Sequence, residues 1–175
     1  LLTMPGAPFI YYGDEIGLRY VENLVSVEGG YSRTGSRSPM QWNHGVNFGF
    51  SNASPEKLYI PTDDKPNSPT VEDQMKDPNS LYYEVKKLIA LRREHSALLS
   101  DGDIEFVSDG ADGSPLAYIR SSADEKILVV VNPADREAVL EVPGTWNVCL
   151  YTVGGIVKAE HGKLIVAPKS ANLLK

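Results

Sequence analysis

Pro5-Gly6-Ala7-Pro8-Phe9-Ile10-Tyr11-Tyr12-Gly13-Asp14-Glu15-Ile16-Gly17 is the stretch that decides the fold. A short apolar run, Phe9–Tyr12, stands between Pro8 and the polar turn Gly13-Asp14-Glu15. A run of that length bounded by turn residues predicts a buried strand whose C-terminal end opens into a loop. In barrels of parallel strands, that end is where chemistry sits. Leu1-Leu2-Thr3-Met4, just upstream, reads as the end of a preceding helix. With no initiator Met and no helix start signal, the chain reads as the tail of a larger protein.

Working outward, residues 18–76 are rich in Gly, Asn, Ser and Pro and hold no sustained period of 2 or 3.6. Tyr31, Met40, Trp42, Phe48, Phe50, Leu58, Tyr59 and Ile60 are scattered through them. A disordered linker would be poorer in such residues, so the segment reads as an ordered excursion packed on something. Asp77-Pro78 then predicts an N-cap followed by proline at the first helical position. Leu81, Val85, Leu88, Ile89 and Leu91 fall on one stripe at helical spacing, opposite Lys86, Lys87, Arg93 and Glu94. Arg92 falls within that stripe and is expected to snorkel or to find a carboxylate.

Ser100-Asp101-Gly102-Asp103 breaks the helix, and the period changes. Eight short β-type runs follow: 104–107, 116–120, 127–132, 138–142, 146–152, 156–158, 164–167 and 171–174, separated by turn signals that include His161-Gly162. Short strands at this spacing predict an antiparallel sandwich. The domain division is therefore 1–103 and 104–175.

Composition narrows the chemistry. Among 175 residues the net charge is −6, with 10 Lys and Arg against 14 Asp and Glu in residues 1–103 and 7 against 9 in 104–175. Neither part has a basic surplus, which argues against nucleic acid or an anionic membrane as partner. Cys149 is the single cysteine, so no intrachain disulfide is possible. His44, His95 and His161 are widely spaced and have no metal-ligand companions, and no cofactor or metal is expected. Serine-hydrolase elbows and phosphate-cradling glycine motifs are absent from the sequence.

Asp14 and Glu15 are the tempting carboxylates. Consecutive residues leaving a strand point to opposite faces, so a role in closing the strand and pairing with an arginine is favoured over catalysis. Ser36-Arg37-Ser38-Pro39-Met40-Gln41-Trp42 places a guanidinium, an amide and an indole close together. That mix suits a sugar, whose hydroxyls take polar partners while its ring face stacks on an aromatic. On composition alone, Met40 and Trp42 anchoring the loop, with Arg37 on a structural carboxylate, is the favoured reading.

Together these strings resemble the α-amylase family of glycoside hydrolases. Residues 5–17 resemble its eighth barrel strand. Arg37-Ser38-Pro39-Met40-Gln41-Trp42 is similar to the Arg-Thr-Pro-Met-Gln-Trp loop of its α-glucosidase and trehalose-synthase-like branch, with Ser38 in place of Thr. Val71-Glu72-Asp73-Gln74, Asp77-Pro78-Asn79-Ser80-Leu81 and Leu88-Ile89-Ala90-Leu91-Arg92-Arg93 match the run into its eighth helix, and 104–175 match its C-terminal sandwich. The resemblance implies an α+β chain: the last β/α unit of a TIM-type (β/α)8 barrel followed by an all-β antiparallel sandwich. It implies retaining cleavage or transfer of α-glucosidic bonds in short oligosaccharides or disaccharides.

The family's nucleophile, acid/base and Asn-His-Asp motif lie upstream of the strand where this chain begins. By the resemblance no catalytic carboxylate falls on any residue here, and the chain alone is expected to be inactive. Arg37 becomes the best candidate sugar contact, followed by Gln41 and Trp42, with Tyr12 and Asp14 at the barrel mouth. Phe9–Tyr12 and the 81–91 stripe would then be covered by the missing barrel portion of the same protein or by self-association. The rival expectation is a non-catalytic carbohydrate-binding or structural sandwich module. Trp146, Tyr118 and Tyr151 decide it, since exposure on one face would favour binding and burial a structural role.

Overall fold

The computed structural model describes residues 1–160 and 163–175. His161 and its turn with Gly162 lie outside the described residues. The chain divides into two compact units, Phe9–Leu88 and Leu1–Pro8 with Ile89–Lys175.

Among the described residues of the second of these, eight strands form: β1 (Asp103–Asp109), β2 (Leu116–Ser121), β3 (Lys126–Asn132), β4 (Ala138–Glu141), β5 (Cys149–Val153), β6 (Lys158–Glu160), β7 (Lys163–Val166) and β8 (Ser170–Leu174). One sheet runs β1-β2-β3-β8-β5 and the other β4-β7-β6, and every pairing is antiparallel. Ala117, Leu128, Val130, Leu140, Leu164 and Val166 pack between them, with Trp146 against this core. Tyr118 and Tyr151 are buried as well.

Two arginines organise the polar side of this unit. The Arg120 side chain is fully buried. It donates to the carbonyls of Thr3, Leu99, Gly102 and Asp103, and burial lowers its pKa. Arg92 donates to the carbonyls of Leu2, Met4 and Gly6 at 2.9, 2.8 and 2.6 Å. Neither expected fate of Arg92 is met. Converging peptide carbonyls, rather than a carboxylate or water, satisfy a buried guanidinium with five N–H donors. Residues 1–4 form a turn closed by Met4 N–H on the Leu1 carbonyl, not a helix end.

The Phe9–Leu88 unit is loop-rich and is held largely by polar contacts. Its helix α1 spans Val71–Lys76, and α2, Leu81–Glu94, begins in this unit. The expected cap at Asp77-Pro78 is instead the turn between the helices. Asp77 ends α1, its side chain accepts Asn79 N–H, and its carbonyl accepts Ser80 N–H. Asp63 is nearly fully buried and takes two hydrogen bonds from Arg19, at 2.9 and 2.7 Å. Burial alone would raise the Asp63 pKa, but Arg19, the Lys65 N–H and Ser68 bring it below the usual carboxylate value.

Phe9–Tyr12 is not the buried strand expected of it. Phe9 is 87% exposed and Tyr11 50%, and no strand among the described residues pairs with them. A strand's hydrogen bonds come from its neighbours, and both sheets here are antiparallel and built from residues 103–174. Among the described residues, no helix is long and apolar enough to cross a membrane.

Candidate functional site

The loop at 37–42 is fixed by the helix that follows it. An α-helix leaves its first N–H groups without intrahelical partners. Here the carbonyl of Gln41 accepts Val71 N–H at 2.9 Å and that of Trp42 accepts Glu72 N–H at 3.0 Å. The third donor, Asp73 N–H, goes to the Thr70 hydroxyl at 3.1 Å. Thr70 in turn donates to the Asp73 carboxylate, which a His44 ring nitrogen approaches at 2.6 Å. These hydrogen bonds hold the Asp73 carboxyl below its usual pKa, that from Thr70 foremost.

On the other side of this loop lies a cavity of about 440 Å³. Its polar members are Tyr12, Glu15 and Arg37. Its apolar wall is made by Met40, Trp42, Phe50, Leu58 and Ile60, with Pro39 and Tyr59. Burial raises the Tyr12 pKa, Tyr11 adds to the rise, and the Arg37 charge opposes it. The Tyr12 hydroxyl donates to the Ser38 carbonyl at 3.0 Å. Glu15 lies in the turn Asp14–Ile16, and its carboxylate accepts Gly13 N–H at 2.9 Å. Among the described residues the Arg37 guanidinium has no ion-pair partner.

Of the five residues singled out from sequence, Tyr12, Arg37 and Trp42 meet at this cavity. Gln41 does not line it. Its side chain is fully buried behind the loop, and both amide atoms lack a hydrogen-bond partner, as does the buried Ser38 hydroxyl. Asp14 is exposed, outside the cavity lining, and accepts the main-chain N–H of Tyr11 at 3.1 Å. Asp14 and Glu15 thus serve the main chain of their own turn, and among the described residues neither pairs with an arginine. Sequence reasoning missed Glu15, Phe50 and Tyr59 as cavity residues. The signal available was the scatter of aromatics through a polar segment, which marks packing without saying against what.

The family comparison covers most of the chain. Residues 1–102 match the model of the alpha-amylase catalytic domain, and residues 104–153 that of the maltogenic amylase C-terminal domain. The trehalose synthase/amylase of Mycobacterium tuberculosis is 37% identical over 142 residues, which is 78% of this chain and 22% of that protein. The oligo-1,6-glucosidase of Halalkalibacterium halodurans is 31% identical over 82% of this chain and 29% of that protein. A crystal structure of Bacillus licheniformis trehalose-6-phosphate hydrolase matches 99% of this chain and 36% of its own length, with a TM-score of 0.79 at 26% identity. The chain thus spans under a third of the length of these two curated relatives.

Proposed function

The chain belongs to the α-amylase family of glycoside hydrolases and carries the end of the catalytic barrel domain followed by the C-terminal β domain. On that premise we propose that it forms part of the substrate pocket of an enzyme that hydrolyses or transfers the α-glucosidic bonds of short oligosaccharides or disaccharides. Residues 1–103 are the barrel end and 104–175 the sandwich. The observation that carries this reading is the meeting of Arg37, Trp42 and Tyr12 in one cavity. The Arg37 guanidinium is available to sugar hydroxyls, and the indole of Trp42, 49% exposed, offers a face to the apolar side of a pyranose ring. Asp14 and Gln41 act behind these groups, in the turn and under the loop.

The reacting carboxylates belong elsewhere. Retaining cleavage needs two carboxyl groups about 5–5.5 Å apart across the bond. Glu15, among the described residues the one carboxylate in the cavity lining, is engaged with Gly13 N–H. The 175-residue chain is therefore inactive alone, while Phe9 and Leu81, both exposed, are covered by the rest of a barrel or by a second copy. The experiment is an assay of the pure chain on maltose and a chromogenic α-glucoside, together with calorimetric titration by maltose. Turnover would overturn the placement of the carboxylates. Binding that Arg37→Ala leaves unchanged would overturn the pocket. The burial of Tyr118 and Tyr151 favours a structural role for the sandwich over sugar binding by it.

A further inference from the structure

We infer that β5 is a self-association edge: it pairs antiparallel with β5 of a second copy of this chain about a two-fold axis, joining two five-stranded sheets into one. This surface lies in the β domain and does not depend on the sugar-pocket reading.

An edge strand offers a row of main-chain N–H and C=O groups to any extended chain that reaches it, and folded proteins blunt such edges with charge, brevity, proline or bulges. Among the described residues the two sheets leave four edges, β1 and β5 in one and β4 and β6 in the other. Three of them are blunted. β1 carries Asp103, Glu105 and Asp109, so two copies paired about its centre would set Asp103 against Asp109. β4 is four residues long and ends on Glu141, which is ion-paired to Lys163 at 2.8 Å. β6 is three residues long, and two of them, Lys158 and Glu160, are charged.

β5 differs from all three. Cys149-Leu150-Tyr151-Thr152-Val153 holds no charged residue and no proline. Val148 is 54% exposed, Val153 43% and Ile156 62%, so the strand and both its flanks present hydrocarbon to solvent. One side of β5 is taken by β8, from Cys149 against Leu174 to Val153 against Ala171. The register shift between Cys149 and Tyr151 twists the start of the strand and leaves Tyr151–Val153 as its regular part.

The occupant is a second copy because of how charge falls on this edge. A neutral strand has no sign by which to select a basic or an acidic peptide. A two-fold axis, by contrast, makes the two strands antiparallel, and centred on Tyr151 it sets Cys149 against Val153 of the second copy and Leu150 against Thr152, with no like charges opposed. The same axis closes both copies of this edge at once, and the blunted edges elsewhere stop further growth, so assembly ends at the dimer. Five paired residues make a small interface, so the dimer is expected at roughly 100 µM and above and not at about 1 µM.

The test is sedimentation equilibrium of the full 175-residue chain across that range, with amide hydrogen exchange at both ends of it. A monomer–dimer equilibrium is expected, with the amides of Tyr151–Val153 slowed at high concentration and those of Ile104–Val107 unchanged. Val153→Lys and Val148→Lys are each expected to weaken the dimer about tenfold, and Phe9→Lys to leave it unchanged. The exchange comparison on the unsubstituted chain holds even if a lysine variant fails to fold. A monomer at every concentration, species larger than a dimer, a dimer in which β5 exchange is not slowed, or a dimer lost with Phe9→Lys and kept with Val153→Lys would each overturn the inference, and none of these bears on the sugar pocket.

Discussion

The main-chain carbonyl of Gln41 accepts the N–H of Val71 at 2.9 Å, so the loop that lines the cavity also caps the helix after it. Cap and pocket wall are one object, and whatever loosens the first turn of α1 loosens the wall. Thr70 completes that turn. Thr70→Ala is expected to lower stability by about 1 kcal/mol, and Thr70→Ser to restore most of it. Urea unfolding of the three proteins checks this. The same alanine variant should weaken maltose binding, though residue 70 is outside the cavity lining.

Arg92 holds three carbonyls of the N-terminal turn. Arg92→Met keeps much of the apolar stem but strands those acceptors. A loss of about 3 kcal/mol is expected, since hydrogen bonds to a charged donor contribute more than neutral ones. A midpoint shift in urea corresponding to under 1 kcal/mol would show that water replaces the guanidinium at little cost.

Stability in acid should track Glu125. Burial alone would raise its pKa, but Lys175, His95 and the N–H of Ala97 hold it down to about 2, from an ordinary 4.5. The folded-state value is depressed, so this contribution is fully present above pH 4.5 and is lost as pH falls from there through about 2. Wild type is expected to lose about 1–2 kcal/mol across that window from this group. Glu125→Gln, which cannot titrate, should show a correspondingly flatter acid limb in thermal melts between pH 5 and pH 2.

Gly154 and Gly6 make a matched pair. Both have positive φ, +77 and +82, so alanine is disfavoured at each. A Cβ on Gly6 meets nothing within 4 Å, whereas one on Gly154 would collide with the Lys169 carbonyl oxygen. Gly6→Ala is expected to cost about 1 kcal/mol from backbone conformation alone. Gly154→Ala should cost at least about 2 kcal/mol, because a main-chain atom must also shift. Differential scanning calorimetry of the pair separates the two terms.

Much of the architecture was legible from local pattern. Six of the eight β-type runs became strands over most of their length among the described residues, 146–152 did so only from Cys149 on, and 156–158 met its strand, Lys158–Glu160, only at Lys158; turn residues are short-range signals and antiparallel neighbours lie within the same chain. The helix α2 was read correctly, with Val85, Leu88, Ile89 and Leu91 half-buried and Leu81 exposed, but its start was not. Asp77-Pro78 carries the same local signature whether it opens a helix or turns between two, and only the contacts of α1 decide. Phe9–Tyr12 failed for a different reason, since a parallel strand is made by partners that no local pattern reveals. At the site, Tyr12, Arg37 and Trp42 were singled out from the sequence, and the structure places all three in the cavity lining. Gln41 has the same chemistry but turns inward, and a sequence motif does not say which of two adjacent side chains meets solvent.

Asn132, at the end of β3, is almost wholly buried. Its amide nitrogen donates to the carbonyls of Arg136 and Ala167 at 2.9 Å each, and lies 3.4 Å from that of Val166 on β7. One side chain therefore fastens the two leaves of the β domain along a single margin, as a spine fastens pages. Heat or force should part those leaves from the opposite margin inward, and amide protons beside Asn132 should be among the last of the domain to exchange with solvent.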